Sequence, residues 1–136
     1  MQALYLALTT QGMMREAGRN FGRRFDPLTI CSYDVDVDDL MDLRAESDRA
    51  ATGFALSDMA CAWEQDLSDG RTPASWAMAD DLARKGIAGI LTPSFARGAP
   101  PGMANLVLWR WGPDLPHKVS VHDPAARLPK DQSSWP

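Results

Sequence analysis

Two apolar runs, Ile87–Leu91 and Ala104–Trp109, flank a Pro- and Gly-rich connection in "GIAGILTPSFARGAPPGMANLVLW". Each run has the length of one strand and is too short for a self-sufficient helix. The link carries Pro93, Gly98, Pro100, Pro101 and Gly102, which interrupt both regular structures. The pair reads as neighbouring strands, and a sheet of this kind needs further strands and a helix to bury its apolar face. Ser94 stands where the first run ends, between Pro93 and Phe95, at a place where a plain turn would serve as well.

The rest of the chain supplies those elements. In "ALYLALTT", Leu4, Leu6 and Leu8 fall on one face of a strand and Ala3, Tyr5 and Ala7 on the other. Tyr5 is thus lifted on an alanine-lined face with room for something flat, although an ordinary second-face core tyrosine fits the same pattern. Thr9 or Thr10 caps a helix over about Gln11–Phe21, with Met13, Met14, Ala17 and Phe21 as its apolar face and Arg15 and Arg19 in water. Glu16 falls at the border of that face, where a carboxylate can look into a cleft; a surface pair with Arg19 at i,i+3 is the plainer reading.

"LTICSYDVDV" alternates like a strand with a wet side, and "DVDVDD" reads as a solvated strand end rather than a metal site, since alternating aspartates converge poorly. "DDLMDLRAESDRAATG" reads as polar and turn-like, with one helical turn at Asp39–Leu43. A short helix capped by Ser57 follows in "LSDMACAWEQD", then a loop "SDGRT". Pro73 opens a helix with Trp76, Met78, Ala79, Leu82 and Ala83 on its apolar face and Gly86 at its end. A last strand, "HKVSVH", follows the turn "GPDLP". The elements add up to an α+β domain with a mainly antiparallel central sheet and flanking helices.

Composition narrows the function classes. The chain of 136 residues fits one domain, over residues 1–124, followed by a flexible tail at 125–136. With 14 basic and 18 acidic side chains the net charge is −4, which disfavours a nonspecific nucleic-acid binder. No apolar run reaches the roughly 20 residues of a membrane span, and no secretory leader is evident. Cys31 and Cys61 form no CxxC pair and suit a reducing cytoplasm. His117 and His122 lie five apart on one strand and face opposite sides, so no metal is expected there. No GxGxxG, Walker loop, HExxH or GxSxG is present. Ser94 has no evident histidine base nearby in sequence, and taken alone it also reads as a turn serine bonding its own backbone.

The order of these pieces is specific: strand "LYLAL", a helix with a glutamate, an acidic strand, a "PASW" helix, "GIAGILTPSFA", the Gly/Pro loop and "NLVLW". It resembles the RES-domain family, over about Ala3–Trp109. The resemblance implies a fold like that of the ADP-ribosyltransferases and a toxin of a bacterial type II toxin–antitoxin pair that consumes NAD. Some members transfer ADP-ribose to a protein; others degrade NAD with water or phosphate as acceptor. It further implies an Xre-like antitoxin as partner, in a cytoplasmic hetero-oligomer with no metal, no membrane and no direct nucleic-acid contact.

Carried over position by position, the family's tyrosine falls on Tyr5, its glutamate on Glu16 and its turn serine on Ser94, with Asn105 at a frequently polar position. Glu16 is then the catalytic carboxylate, and Tyr5, Ser94 and Asn105 are NAD-binding. Family members also carry arginines ahead of the tyrosine strand, which grip the anionic part of NAD. Only Met1–Leu4 precede Tyr5 here, so that segment is expected to be missing or to lie upstream in a longer polypeptide. Arg15, Arg19, Arg23, Arg24 and Arg97 do not by position alone replace it. The other implied reading is a catalytically inactive module that still binds the antitoxin.

Overall fold

The computed structural model describes residues 2–21, 30–61 and 63–128, with the backbone alone over 18–21. Its central sheet is built from β1 (Leu4–Ala7), β3 (Leu40–Asp42), β4 (Gly89–Pro93) and β5 (Ala104–Leu108), in the order β1-β5-β4-β3. The apolar runs form the two inner strands, antiparallel to each other with Gly89 opposite Leu108 and Pro93 opposite Ala104. β1 adds antiparallel to β5, Leu4 opposite Leu108 and Ala7 opposite Asn105. Gly89 permits this close packing: a Cβ there would run into the Val107 carbonyl and the Leu108 side chain.

The sheet is mixed, a correction to the mainly antiparallel one expected. β3 runs parallel to β4, Leu40 beside Gly89 and Asp42 beside Leu91. The reason is the connection: α2 (Glu46–Thr52), α3 (Leu56–Met59), α4 (Trp63–Ser68) and α5 (Ala74–Arg84) all lie between the two strands, and a helical crossover is how parallel neighbours are joined. The expected helical turn at Asp39–Leu43 is instead this strand. Three residues are too few for a period to declare itself, and the free edge of β4 draws them in: Asp39 O accepts from Ala88 N at 2.8 Å and Leu91 O from Leu43 N at 2.8 Å.

Leu43, Met78, Leu82 and Ile90 form the buried core, with Met41, Phe54, Met59, Ile87, Val107 and Trp109 packed around it. α5 therefore covers the face that carries Ile90 and Val107. Pro73 starts α5 as expected, its carbonyl accepting from Trp76 N and Ala77 N, and Gly86 leaves it at φ +87°. Trp76, expected on the apolar face, is 48% exposed; Met78 and Leu82 carry the packing. The helix expected to be capped by Ser57 is two: α3, where the Asp58 carboxylate takes the Ala55 N–H at 2.8 Å, and α4.

A separate two-stranded sheet pairs β2 (Tyr33–Val37) with β6 (His117–Val121). Tyr33 and Val35 face Val121 and Val119, an apolar match, and Asp36 faces Lys118, its opposite charge. His117 Nε2 lies 2.9 Å from Asp39 Oδ2, and no metal-holding cluster occurs among the described residues. Both cysteines are free. Leu28, Arg23, Arg24, the side chains of Arg19 and Phe21, and tail residues 129–136 lie outside the described residues.

Candidate functional site

Helix α1 (Thr10–Phe21) follows β1 after a two-residue turn, capped by Thr9, whose Oγ1 accepts from Gly12 N at 3.0 Å. Gly12 is buried, and a Cβ there would meet Thr9, Ala7 and Met103. This glycine lets the helix lie close to β1. It also shifts the packed stripe: Gly12, Met13, Glu16 and Ala17 face inward, while Met14 is 45% exposed. Glu16 therefore stands one turn below Gly12 inside the packed stripe, not at its border. Glycine at the first turn with a glutamate four residues on is the sequence signal that the apolar count overlooked.

Ser94 and Asn105 come from the sheet. Ser94 leaves the end of β4, with its N–H donating to Met103 O at 2.8 Å across the base of the Gly/Pro loop. Asn105 sits in β5 between Ala7 of β1 and Thr92 of β4. Both donate to one oxygen of the glutamate: Ser94 Oγ to Glu16 Oε1 at 2.7 Å, and Asn105 Nδ2 to the same Oε1 at 2.8 Å. Two donors on one oxygen hold the carboxyl group in one orientation. Ala96 N donates to Ser94 Oγ at 3.3 Å, which turns the hydroxyl proton toward Glu16. With proton and backbone N–H both engaged, Ser94 meets any further group through an Oγ lone pair.

Asn105 Oδ1 is buried without a hydrogen-bond partner. Leaving such an acceptor unsatisfied costs about 1–3 kcal/mol, and packing alone would favour an aliphatic residue at that strand position.

Tyr5 lies on the same sheet face as Asn105, since Ala7 pairs with Asn105 and Tyr5 with Val107, two residues along each strand. It is 71% exposed, as an open ring on a small-residue face should be. Partial desolvation, then the neighbouring Cys61 thiol, raises the phenol above its ordinary pKa, a shift of little energetic weight at so open a residue. Tyr5 takes no part in the bonds that hold Glu16. The structure thus brings Glu16, Ser94 and Asn105 into direct contact and places Tyr5 on the floor beside them.

Two further residues belong here, Met103 and Arg15. Met103 reaches α1 at Gly12, and the Arg15 guanidinium lies over Gly98, so that a Cβ on Gly98 would come within 3.1 Å of it. Arg15 brings positive charge onto the loop that follows Ser94. Trp109 and Trp111, in contrast, stand beyond the far end of β5, about 13 Å or more along the strand from Asn105 at roughly 3.3 Å per residue. Trp109 is tied to Ile87 O at 2.6 Å, and with Gln2, Arg110 and Trp111 it borders a separate open depression of about 420 Å³.

Fold and site together define a mixed α/β domain in which two strands hold one helix-borne carboxylate. The chain belongs to the RES-domain family: the family model described as RES domain matches residues 1–131. Neither the curated proteins nor the solved structures give a match. Among the described residues no helix is long and apolar enough to cross a membrane.

Proposed function

We propose that this RES domain consumes NAD by breaking the bond between nicotinamide and ribose, with ADP-ribose passing to a protein, to water or to phosphate. The observation that carries the reading is the doubly bonded Glu16 carboxylate, whose Oε1 is occupied by Ser94 and Asn105. Among the described residues Oε2 is bonded to none, so it can accept from a ribose hydroxyl.

Cleavage of the C1′–N bond leaves neutral nicotinamide and an oxocarbenium-like sugar, which an acceptor oxygen then attacks as it loses its proton. A carboxylate already fixed in place stabilises that positive charge without reorganising. Tyr5 offers a ring for the nicotinamide to pack against. The Ser94 Oγ lone pair accepts from the carboxamide and orients the leaving group. Arg15, beside Glu16 and over the loop, supplies a charge partner for the anionic part of the substrate.

The same reading takes the domain as an ADP-ribosyltransferase-like toxin of a type II pair, cytoplasmic and silenced by an Xre-like antitoxin. A segment of that partner would enter near Glu16 and Ser94, where Phe95 and Met103 flank the mouth. Release of nicotinamide from NAD by purified protein, compared with Glu16→Gln, tests the chemistry. Collapse of turnover in a folded Gln variant is expected. Equal rates would remove Glu16 from the reaction, and no release by either would leave the antitoxin-binding module as the reading.

A further inference from the structure

Asn105 is the inner-strand side chain that bonds Glu16, with Nδ2 donating to Oε1. Its backbone is bound into two ladders, opposite Ala7 on one side and Thr92 on the other, so its Cα has little freedom. Its amide has two orientations related by a half-turn. Only one points Nδ2 at Glu16 Oε1, at 2.8 Å; the other would set two oxygens against each other. The orientation adopted strands Oδ1 in a buried place with no donor. A chain that merely needed filling at this position would not keep an amide that leaves an acceptor unsatisfied.

We propose that Asn105 is a positioning residue for Glu16 and not a substrate contact: it locks Oε1 from the sheet side, complementing Ser94 from the loop side, so that Oε2 alone is presented. The kinetic half of this inference rests on the NAD reading above; the structural half does not. Ser94 sits on a loop that begins at the sheet's end, whereas Asn105 is mid-sheet. Asn105 is fixed by two ladders and Ser94 by one bond to Met103 O, so the asparagine is the more firmly held of the two donors. Loss of the asparagine leaves Glu16 with the Ser94 donor alone, and its approach to the sugar becomes one of several rotamers.

Two measurements separate the halves. In nitrogen-15-labelled protein, the Asn105 side-chain amide, identified by its loss in Asn105→Ala, is expected to show one proton shifted downfield and slow to exchange. In Glu16→Ala it should move to free-amide positions; Glu16→Gln, a neutral acceptor of the same length, should reduce the shift if the Ala variant folds poorly. An amide signal indifferent to both substitutions would overturn the proposal.

In nicotinamide release, Asn105→Ala is expected to lower kcat about tenfold while KM for NAD stays within about twofold, because the lost interaction orients the carboxylate rather than binding the ground state. Adding Asn105→Ala to Glu16→Gln should lower the rate far less than it does in the wild-type background. A large rise in KM at unchanged kcat would make Asn105 a direct substrate contact and defeat the inference. A coupled amide signal in a protein that releases no nicotinamide would sink the NAD reading and leave the positioning of Glu16 by Asn105 standing.

Discussion

Ser94 Oγ donates to Glu16 Oε1 at 2.7 Å although 78 positions separate the two residues in the chain. The contact joins the end of inner strand β4 to the second turn of α1.

Removing the hydroxyl should be felt in turnover more than in folding. Ser94→Ala deletes one of the two donors to the carboxylate and the acceptor for Ala96 N, while the Ser94 N–H bond to Met103 remains. The expected outcome is a fall of about 10- to 100-fold in nicotinamide release with about 1 kcal/mol or less of lost stability, read by enzyme assay and urea unfolding.

The cap of α1 acts on the site from a distance. Thr9→Ala removes the acceptor for Gly12 N, costs about 1 kcal/mol and loosens the first turn that precedes Glu16. Thr9→Ser retains the hydroxyl and should retain both stability and activity. Thermal unfolding of the three proteins checks the order.

Gly89 tests the packing of the inner strands. Gly89→Ala drives a methyl group against the Leu108 side chain and into the Val107 carbonyl, which cannot yield without opening the β4–β5 ladder. A loss of about 2–3 kcal/mol is expected in chemical denaturation. Gly53→Ala has open space around it and only its left-handed φ of +77° to oppose it, so it should lose less.

Acid should weaken the fold through carboxylates held below their ordinary value of 3.8: Asp42 by its hydrogen bonds from Arg44, Asp81 by Lys85, and Asp123 by the backbone N–H groups of Arg127 and Leu128. A depressed native pKa means stabilisation that is complete above the unfolded value and lost as the pH falls through the folded one. The melting temperature should therefore be level from neutrality down to about pH 5 and drop below about pH 4. Asp123→Ala should flatten part of that drop.

Elements whose side chains repeat with a clear period can be read from the chain alone. β1 with its leucine and tyrosine faces, the apolar strands β4 and β5, and α5 between Pro73 and Gly86 were legible because their burial follows spacings of two or of 3.6 residues. Glu16 and Ser94 stand out as candidates through the resemblance to the RES-domain family; by local pattern alone the first reads as a surface partner of Arg19 and the second as a turn serine. The remaining features depend on contacts between distant parts of the chain. β3 is three residues long and owes its existence to the free edge of β4. The inward turn of Glu16 depends on how closely Gly12 lets α1 approach Ala7. That Asn105 bonds Glu16, 89 positions away, depends on β5 lying between β1 and β4. Local periodicity encodes which face of an element is apolar; it does not encode which elements lie side by side, and a site assembled from three of them exists only once that order is set.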